Sequence, residues 1–242
     1  MTQPINSLLE TLCDDPSSCR ERLLHTAGMM FADHGLNGVS TRELTKSAGA
    51  NLSAIAYYFG SKEGLYGEAI AHTIAGTQNL IGGAEERLRY DVTEARGDRQ
   101  LLAEAASRFT TSLLHALLGL GPENWPRRLL LREVDHPTQA FTQLFDAVFK
   151  PLFEAFLSLV TAATGGAADA PETLIRATAL LGQCLTFYRN RTVVLRILNW
   201  DDFSPDHIET IAQVLGTELQ DALELPRTHP TAVSGPARAA VA

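Results

Sequence analysis

Residues 40–62, STRELTKSAGANLSAIAYYFGSK, contain two short helical patterns that are separated by a tight turn at Gly49. Ser40, with Glu43 three residues later, forms a capping-box pattern at the start of the first helix. Asn51 can cap the second helix through its side-chain oxygen. A helix, a sharp turn and a second short helix are typical of a helix-turn-helix motif, whose second helix enters the major groove of DNA.

The two helices of this stretch each have one apolar residue that can anchor them in a core, Leu44 and Ile55. With those two residues inward, the second helix presents side chains that are small enough to let it lie deep in a groove. This outward face is predicted to consist of Leu52, Ser53, Ala54 and Ala56.

The composition of the 242-residue chain is that of an ordinary folded protein, with 45% hydrophobic residues. Its formal net charge of -8 argues against non-specific binding to polyanions, but it does not exclude sequence-specific binding to DNA. No apolar run is long enough to cross a bilayer, and the N-terminus lacks the pattern of a secretory signal. The three cysteines have no metal-ligand spacing, so we expect a cytoplasmic protein without a bound metal or a cofactor.

Apolar residues recur at helical spacing along almost the whole chain, which predicts an all-α fold of about nine helices. Ser61 can cap a helix that continues to about Leu88, and a polar loop is predicted from Arg89. Pro151 is predicted to kink a helix over 138–164, because a proline inside a helix removes one backbone hydrogen bond. Further helices are predicted over 171–198 and from Ser204–Pro205 to about Leu223.

Three segments of the N-terminal part resemble the TetR family of bacterial transcriptional regulators: FADHGLNGVSTRELTKSAGA, the YYF triplet and GSKEGLY. The resemblance covers about residues 18–70 and implies which residues contact DNA. Thr41 and Arg42 would meet the backbone or a base edge, and Tyr58 and Lys62 would bind phosphates. The residues that would face the bases are Leu52, Ser53, Ala54 and Ala56, with Tyr57 packed against thymine methyl groups or sugar.

The sequence departs from the family pattern at Ala56, where many members have tyrosine, and at Ser53, where glycine is common. The second helix also has no Arg, Lys, Asn or Gln beyond Asn51. Bidentate hydrogen bonding to a base is therefore limited to Arg42. Hydroxyl, methyl and water-mediated contacts, together with DNA shape, are expected to contribute more.

The order of Asn51–Tyr66, the pair Arg132-Glu133 and the pair Pro137-Thr138 resembles the CecR-like branch of the same family. This implies a C-terminal helical ligand-binding and dimerisation domain, with a homodimer formed through the last two helices. The implied domains are a disordered extension (1–17), a three-helix DNA-binding domain (18–66), an effector-binding and dimerisation domain (67–225) and a disordered tail (226–242).

Candidate effector contacts are polar residues in apolar helices and aromatic residues near them, and such a pocket suits a small hydrophobic or aromatic ligand. They are Phe109, Trp125, Arg132, Glu133, Phe145, Gln183, Cys184 and Tyr188. A structural alternative for Arg132 is an ion pair with an acid such as Glu133 or Asp135.

The preferred interpretation is a repressor that binds a palindromic DNA operator as a homodimer and is released by a small effector. One alternative is a helical enzyme or carrier, but no nucleophile–base pair, metal-ligand set or G-x-S-x-G motif supports it. The other is a helical protein-interaction module that does not bind DNA.

Overall fold

The structure is a computed structural model that describes residues 16–121 and 123–228. Every regular element within these residues is helical, which confirms the predicted all-α fold. The segments predicted to be disordered, 1–17 and 226–242, lie mostly outside the described residues. No helix in the described part of the chain is long and apolar enough to span a membrane.

The helices are numbered in chain order. They are α1 (Pro16–His34), α2 (Thr41–Ala48), α3 (Ser53–Phe59), α4 (Lys62–Ala95), α5 (Arg99–Leu118), α6 (Trp125–Asp135), α7 (Phe141–Leu144), a π-helical turn (Phe145–Phe149), α8 (Lys150–Thr164), α9 (Pro171–Arg189), α10 (Arg191–Leu198) and α11 (Pro205–Ala222).

The chain divides into two compact units. The first consists of Met1–Gly83 and Ala116–Glu154, and the second of Ala84–His115 and Ala155–Ala242. The core of the first unit is formed by fully buried residues of α1, α2 and α4, including Phe31, Leu44 and Ile70. The second unit is centred on α5 and α8, where Phe109 packs against Phe156 with ring centroids 5.8 Å apart.

The helix-turn-helix has the predicted capping box and turn. The Ser40 hydroxyl accepts from the Glu43 amide at 3.2 Å, and the Glu43 carboxylate accepts from the Ser40 amide at 2.8 Å. Gly49 closes α2 in the left-handed region (φ 61°), and the Ala50 amide then donates to the Thr45 carbonyl at 2.8 Å. A Cβ at this position would meet no neighbouring atom, so lack of space does not explain the glycine. Glycine is favoured here because it adopts the left-handed backbone conformation without strain.

The loop predicted from Arg89 is wrong, because α4 continues to Ala95. The polar side chains of this stretch are satisfied on the helix surface. The largely buried Asp91 accepts from Arg87 at 2.9 Å and from Arg108 at 3.0 Å. The buried face therefore continues for two more turns, until Gly97 (φ 84°) ends it.

The single helix predicted over 171–198 is also wrong, because Asn190 leaves helical geometry (φ -100°, ψ 30°) and separates α9 from α10. The buried Arg191 that follows bonds to Asp202 and lies 4.6 Å from the ring centroid of Phe203. These contacts are made eleven and twelve residues further along the chain, so helical periodicity did not indicate the break. The predicted start of α11 at Ser204–Pro205 is confirmed.

The interruption predicted at Pro151 takes the form of the π-helical turn that ends just before it. The Lys150 amide donates to the Phe145 carbonyl, and Pro151 has no N–H to offer to the carbonyl of Ala147. That carbonyl accepts instead from the side-chain amide of Gln78 at 3.0 Å. A residue of α4 therefore compensates for the hydrogen bond that proline removes.

Candidate nucleic-acid interface

The outward face of α3 is broad and mostly apolar. Leu52 is 57% exposed and Tyr57 is 59% exposed, and Ser53 and Ala56 are exposed beside them. Residues four apart on a helix share a face, so Leu52 lies over Ala56 and Ser53 over Tyr57. The predicted outward orientation of Leu52, Ser53 and Ala56 is confirmed, whereas the contacts of all four residues with DNA stay a prediction.

The predicted outward orientation of Ala54 is wrong, because the residue is only 1% exposed. The Asn51 side chain accepts from the Ser53 amide at 3.2 Å, so it closes a turn before the helix and Leu52 takes the N-cap position. Both Ala54 and Ile55 then face the core. A buried methyl group at position 54 cannot touch a base, so Ala54 leaves the set of candidate DNA contacts.

Lys62 has a structural role that the sequence did not indicate. Its ammonium donates to the carbonyl of Leu36 at 3.0 Å and to that of Val39 at 3.1 Å. These bonds hold the segment between α1 and α2 against the start of α4. Because an ammonium has three N–H donors, one remains for the predicted phosphate contact.

The remaining candidates belong to α2 and to the end of α3. Arg42 is exposed and Thr41 is half-buried in the first turn of α2. Tyr58 is half-buried, with its ring edge-on to Tyr57 at 4.8 Å between centroids. Lys46, one turn after Arg42, is a further exposed cation of α2 that the sequence interpretation missed. The i, i+4 spacing of the two basic residues is the signal that indicates a shared face.

Arg20 of α1 holds the end of α3 in place. Its guanidinium lies 5.2 Å from the ring centroid of Phe59 and forms an ion pair with Glu68 of α4 at 2.8 Å. A cation over an aromatic ring and an exposed ion pair each contribute modestly, about 0.5–1 kcal/mol. Together they connect α1, α3 and α4 at the position where the recognition helix ends.

A buried carboxylate lies behind the motif. Glu133 of α6 is 0% exposed and accepts from the Tyr66 hydroxyl, from the Thr138 amide at 3.1 Å and from the Thr138 hydroxyl at 3.1 Å. Burial, and then the hydrogen bond to Glu133, raise the pKa of Tyr66 far above its usual value. The cluster joins two separate segments of the family resemblance, GSKEGLY and Arg132-Glu133 with Pro137-Thr138.

Trp125 at the start of α6 packs against α1 and α4. Its ring stacks on His72 with centroids 5.1 Å apart, and its indole N–H donates to His25 Nδ1 at 3.2 Å. The ring lies so close to α1 that a Cβ on Gly28 would come within 2.5 Å of it. It also borders an open cleft of about 750 Å³ whose walls include Arg20 and His72.

The neighbouring effector candidates of the first unit differ in their surroundings. Arg132 donates to the Asp33 carbonyl at 3.2 Å, and the cluster around Glu133 takes its hydrogen bonds from Tyr66 and Thr138. Phe145 lies in the π-helical turn and is 44% exposed. Arg132 and Glu133 therefore have other partners and do not form an ion pair with each other.

The second unit contains the other effector candidates. Phe109, Cys184 and Tyr188 are buried, whereas Gln183 is exposed. Burial raises the pKa of the Cys184 thiol to about 12, so the thiol is protonated at neutral pH. The sequence interpretation missed Thr110, which is 1% exposed and whose hydroxyl has no hydrogen-bond partner. A buried hydroxyl without a partner is unusual and marks a position where a ligand could bond.

The side chains of the described residues include no group of three or more His, Cys, Asp or Glu that could hold a metal ion. The exposed second helix of a tight helix-turn-helix, on an all-helical scaffold, defines the chain as a helix-turn-helix regulator by its architecture.

Comparison with known proteins agrees with this architecture. Residues 23–69 match the family model for bacterial regulatory proteins of the tetR family. Residues 102–223 match that for the C-terminal domain of the HTH-type transcriptional dual regulator CecR. The CecR protein of Shigella flexneri is 31% identical over 210 residues, which cover 85% of this chain and 91% of CecR.

Two further matches are shorter or more distant. The HTH-type transcriptional repressor AcnR of Corynebacterium glutamicum is 38% identical over 53 residues, 22% of this chain and 28% of AcnR. A solved structure of AibR in complex with isovaleryl coenzyme A and operator DNA has a TM-score of 0.56 at 17% identity. The match covers 83% of this chain and 97% of AibR, and it supports the fold.

The chain belongs to the TetR family of transcriptional regulators, in its CecR branch, and it contains the DNA-binding domain of that family. These relatives are regulators of transcription and not enzymes, and they do not favour the alternative of an interaction module without DNA binding.

Proposed function

We propose that the protein is a homodimeric repressor that binds a palindromic operator and releases it when a small hydrophobic or aromatic effector binds. In this proposal residues 18–66 bind DNA and residues 67–225 bind the effector and form the dimer. The exposed face of α3, together with the exposed cations Arg42 and Lys46 of α2, is the observation that carries the proposal. Its proposed contacts are Thr41, Arg42, Lys46, Leu52, Ser53, Ala56, Tyr57, Tyr58 and Lys62.

The dimer is supported by the exposed sides of the last long helices. Ile175 of α9 is 68% exposed and Val214 of α11 is 56% exposed. Small residues continue the exposed side of α9 through Thr178, Ala179 and Gly182. Small side chains let helices approach closely, and apolar ones favour cover by a partner, so a second copy is the proposed occupant.

The effector site is proposed in the second unit, which contains buried apolar and aromatic candidates and a buried hydroxyl without a hydrogen-bond partner. Phe109, Cys184 and Tyr188 would supply apolar and aromatic contact, and the Thr110 hydroxyl would bond to a polar atom of the ligand. Trp125, Arg132, Glu133, Phe145 and Gln183 remain predicted contacts. Arg132 and Glu133 bond to α1 and α4, so a ligand that contacts these two residues would act on the helices that flank the DNA-binding motif.

Repression is proposed because a relative that matches this chain is named a repressor, while another is named a dual regulator. A protein that binds a bacterial promoter works in the cytoplasm, so the cytoplasm is the proposed location. A reporter fused to the bound promoter distinguishes the two signs of regulation. Loss of the protein should raise expression, and a fall in expression would identify an activator.

The first experiment is selection of bound fragments from genomic DNA, followed by titration of a selected fragment at several salt concentrations. A dimer on a palindrome is expected, with affinity that falls as salt rises because bound counterions are released from phosphates. The matched control is Ala56→Asp, which places a carboxylate on the exposed face of α3. If no fragment is bound by the unaltered protein, DNA binding itself is refuted.

A further inference from the structure

The outward face of α3 has an unusual chemical character for a surface that is exposed to water. Leu52, Ala56 and Tyr57 provide a continuous apolar area, and the polar groups on this face are the hydroxyls of Ser53 and Tyr57. The helix SAIAYYF has no guanidinium, ammonium or amide side chain. The Asn51 side-chain oxygen, just before it, is engaged with the Ser53 amide.

From this face we infer that the protein recognises its operator chiefly through the 5-methyl groups of thymine. The inference rests on the proposed function and specifies the bases that α3 would select. Within the major groove the thymine methyl is the group that favours apolar contact. Guanine is recognised by the donors of arginine or lysine, and adenine by the amide of asparagine or glutamine, which donates one hydrogen bond and accepts another. The exposed face of α3 offers apolar contact and has neither a basic nor an amide side chain.

The geometry gives each half-site a small number of such contacts. Leu52 and Ala56 lie one turn apart on the same side of α3, and Ser53 and Tyr57 lie one turn apart next to them. The long side chains at 52 and 57 flank the short one at 56, so a methyl group can approach the backbone of α3 between them. Recognition through water or through DNA shape would not depend on a single methyl group, and this difference makes the inference testable.

Uracil in place of thymine removes the 5-methyl group and keeps every hydrogen-bonding group of the base. Because removing one buried carbon is worth about 0.8 kcal/mol, each contacted methyl should change affinity about fourfold. In a palindrome the same substitution in both half-sites should weaken binding by about fifteenfold.

The test measures the affinity of the full-length protein for a selected operator by fluorescence anisotropy, with each thymine replaced in turn by uracil. Loss of affinity at one or more positions inside the half-sites, and no change at positions outside them, is the expected result. The loss at a given position should shrink to less than twofold in Leu52→Ala or in Tyr57→Ala, because the apolar partner of that methyl is gone. Both side chains are exposed, so these variants should fold normally.

An operator in which every thymine is uracil, and which binds within twofold of the original, would overturn the inference. So would a uracil effect that is unchanged in Leu52→Ala and in Tyr57→Ala, because the methyl would then act through DNA shape. Either result leaves DNA binding itself intact, which separates failure of this inference from failure of the proposed function. Absence of binding to unmodified DNA would refute both.

Discussion

Replacing Lys62 tests whether this residue is part of the fold, part of the DNA interface, or both. Lys62→Met removes the ammonium and keeps most of the apolar stem. The two lost bonds, to the Leu36 and Val39 carbonyls, involve a charged donor, which contributes about 1.5–3 kcal/mol per bond. Lys62 is half-buried, so the lower end applies and the expected loss for the two bonds is about 3 kcal/mol.

The loss should appear as a lower melting temperature. In a protein of this size 1 kcal/mol corresponds to about 2–4 °C, so the melting temperature of Lys62→Met should be about 6–12 °C lower. Calorimetry at one fixed protein concentration is the assay, because the stability of a dimer depends on concentration. Lys46→Met is the matched control, since Lys46 is exposed on α2 and its replacement should change stability by less than about 0.5 kcal/mol.

DNA titrations on the same two variants separate the two roles. Lys46→Met should reduce the slope of log affinity against log salt by about 0.9, the value for one lost phosphate contact. Lys62→Met could instead have the melting temperature of the wild type and a slope of log affinity against log salt that is also reduced by about 0.9. The bonds to Leu36 and Val39 would then not stabilise the fold. Lys62 would then be a phosphate ligand alone, and the argument from its carbonyl contacts would be refuted.

Three other predictions follow from single residues. Ala54→Asp should lower stability by on the order of 3 kcal/mol because it buries a charge, and urea unfolding measures this loss. Ala56→Asp should keep the melting temperature of the wild type and lose DNA binding, which fluorescence anisotropy measures. The protonated Tyr66 hydroxyl, whose pKa is raised in the fold, contributes to stability. This contribution is fully present below about pH 10, the pKa of tyrosine in the unfolded chain, and is lost as pH rises through the folded pKa. The urea midpoint of Tyr66→Phe should therefore fall less than that of the wild type between pH 9 and about 11.5. Equal falls would contradict the raised pKa of Tyr66. Val214→Glu should convert the proposed dimer to a monomer in light scattering, and a dimer that persists would remove α11 from the proposed interface.

Several site features could not be predicted from sequence because their partners are far apart in the chain. Tyr66 and Glu133 are 67 residues apart, and Gln78 and Ala147 are 69 apart. Helical periodicity shows that such residues are buried, but it does not show which buried group meets which. The same limit applies to the end of α4, where the pairing of Asp91 with Arg108 makes a polar stretch helical.

The sequence by itself determined the features whose partners lie within about four residues. The capping box of Ser40 and Glu43, the turn at Gly49 and the start of α11 at Ser204 are local, so the residue types specify them. The family resemblance likewise depends on short motifs and established the class of protein.

Only the tertiary structure decided which side of α3 faces solvent. Seven residues form barely two turns, and a shift of one position at the helix start moves a residue by about 100° around the axis. Ala54 was therefore predicted outward and lies in the core, while Leu52, Ser53, Ala56 and Tyr57 form the exposed face. The sequence predicted that this helix is the recognition helix, and packing against the rest of the first unit determined which of its side chains are exposed.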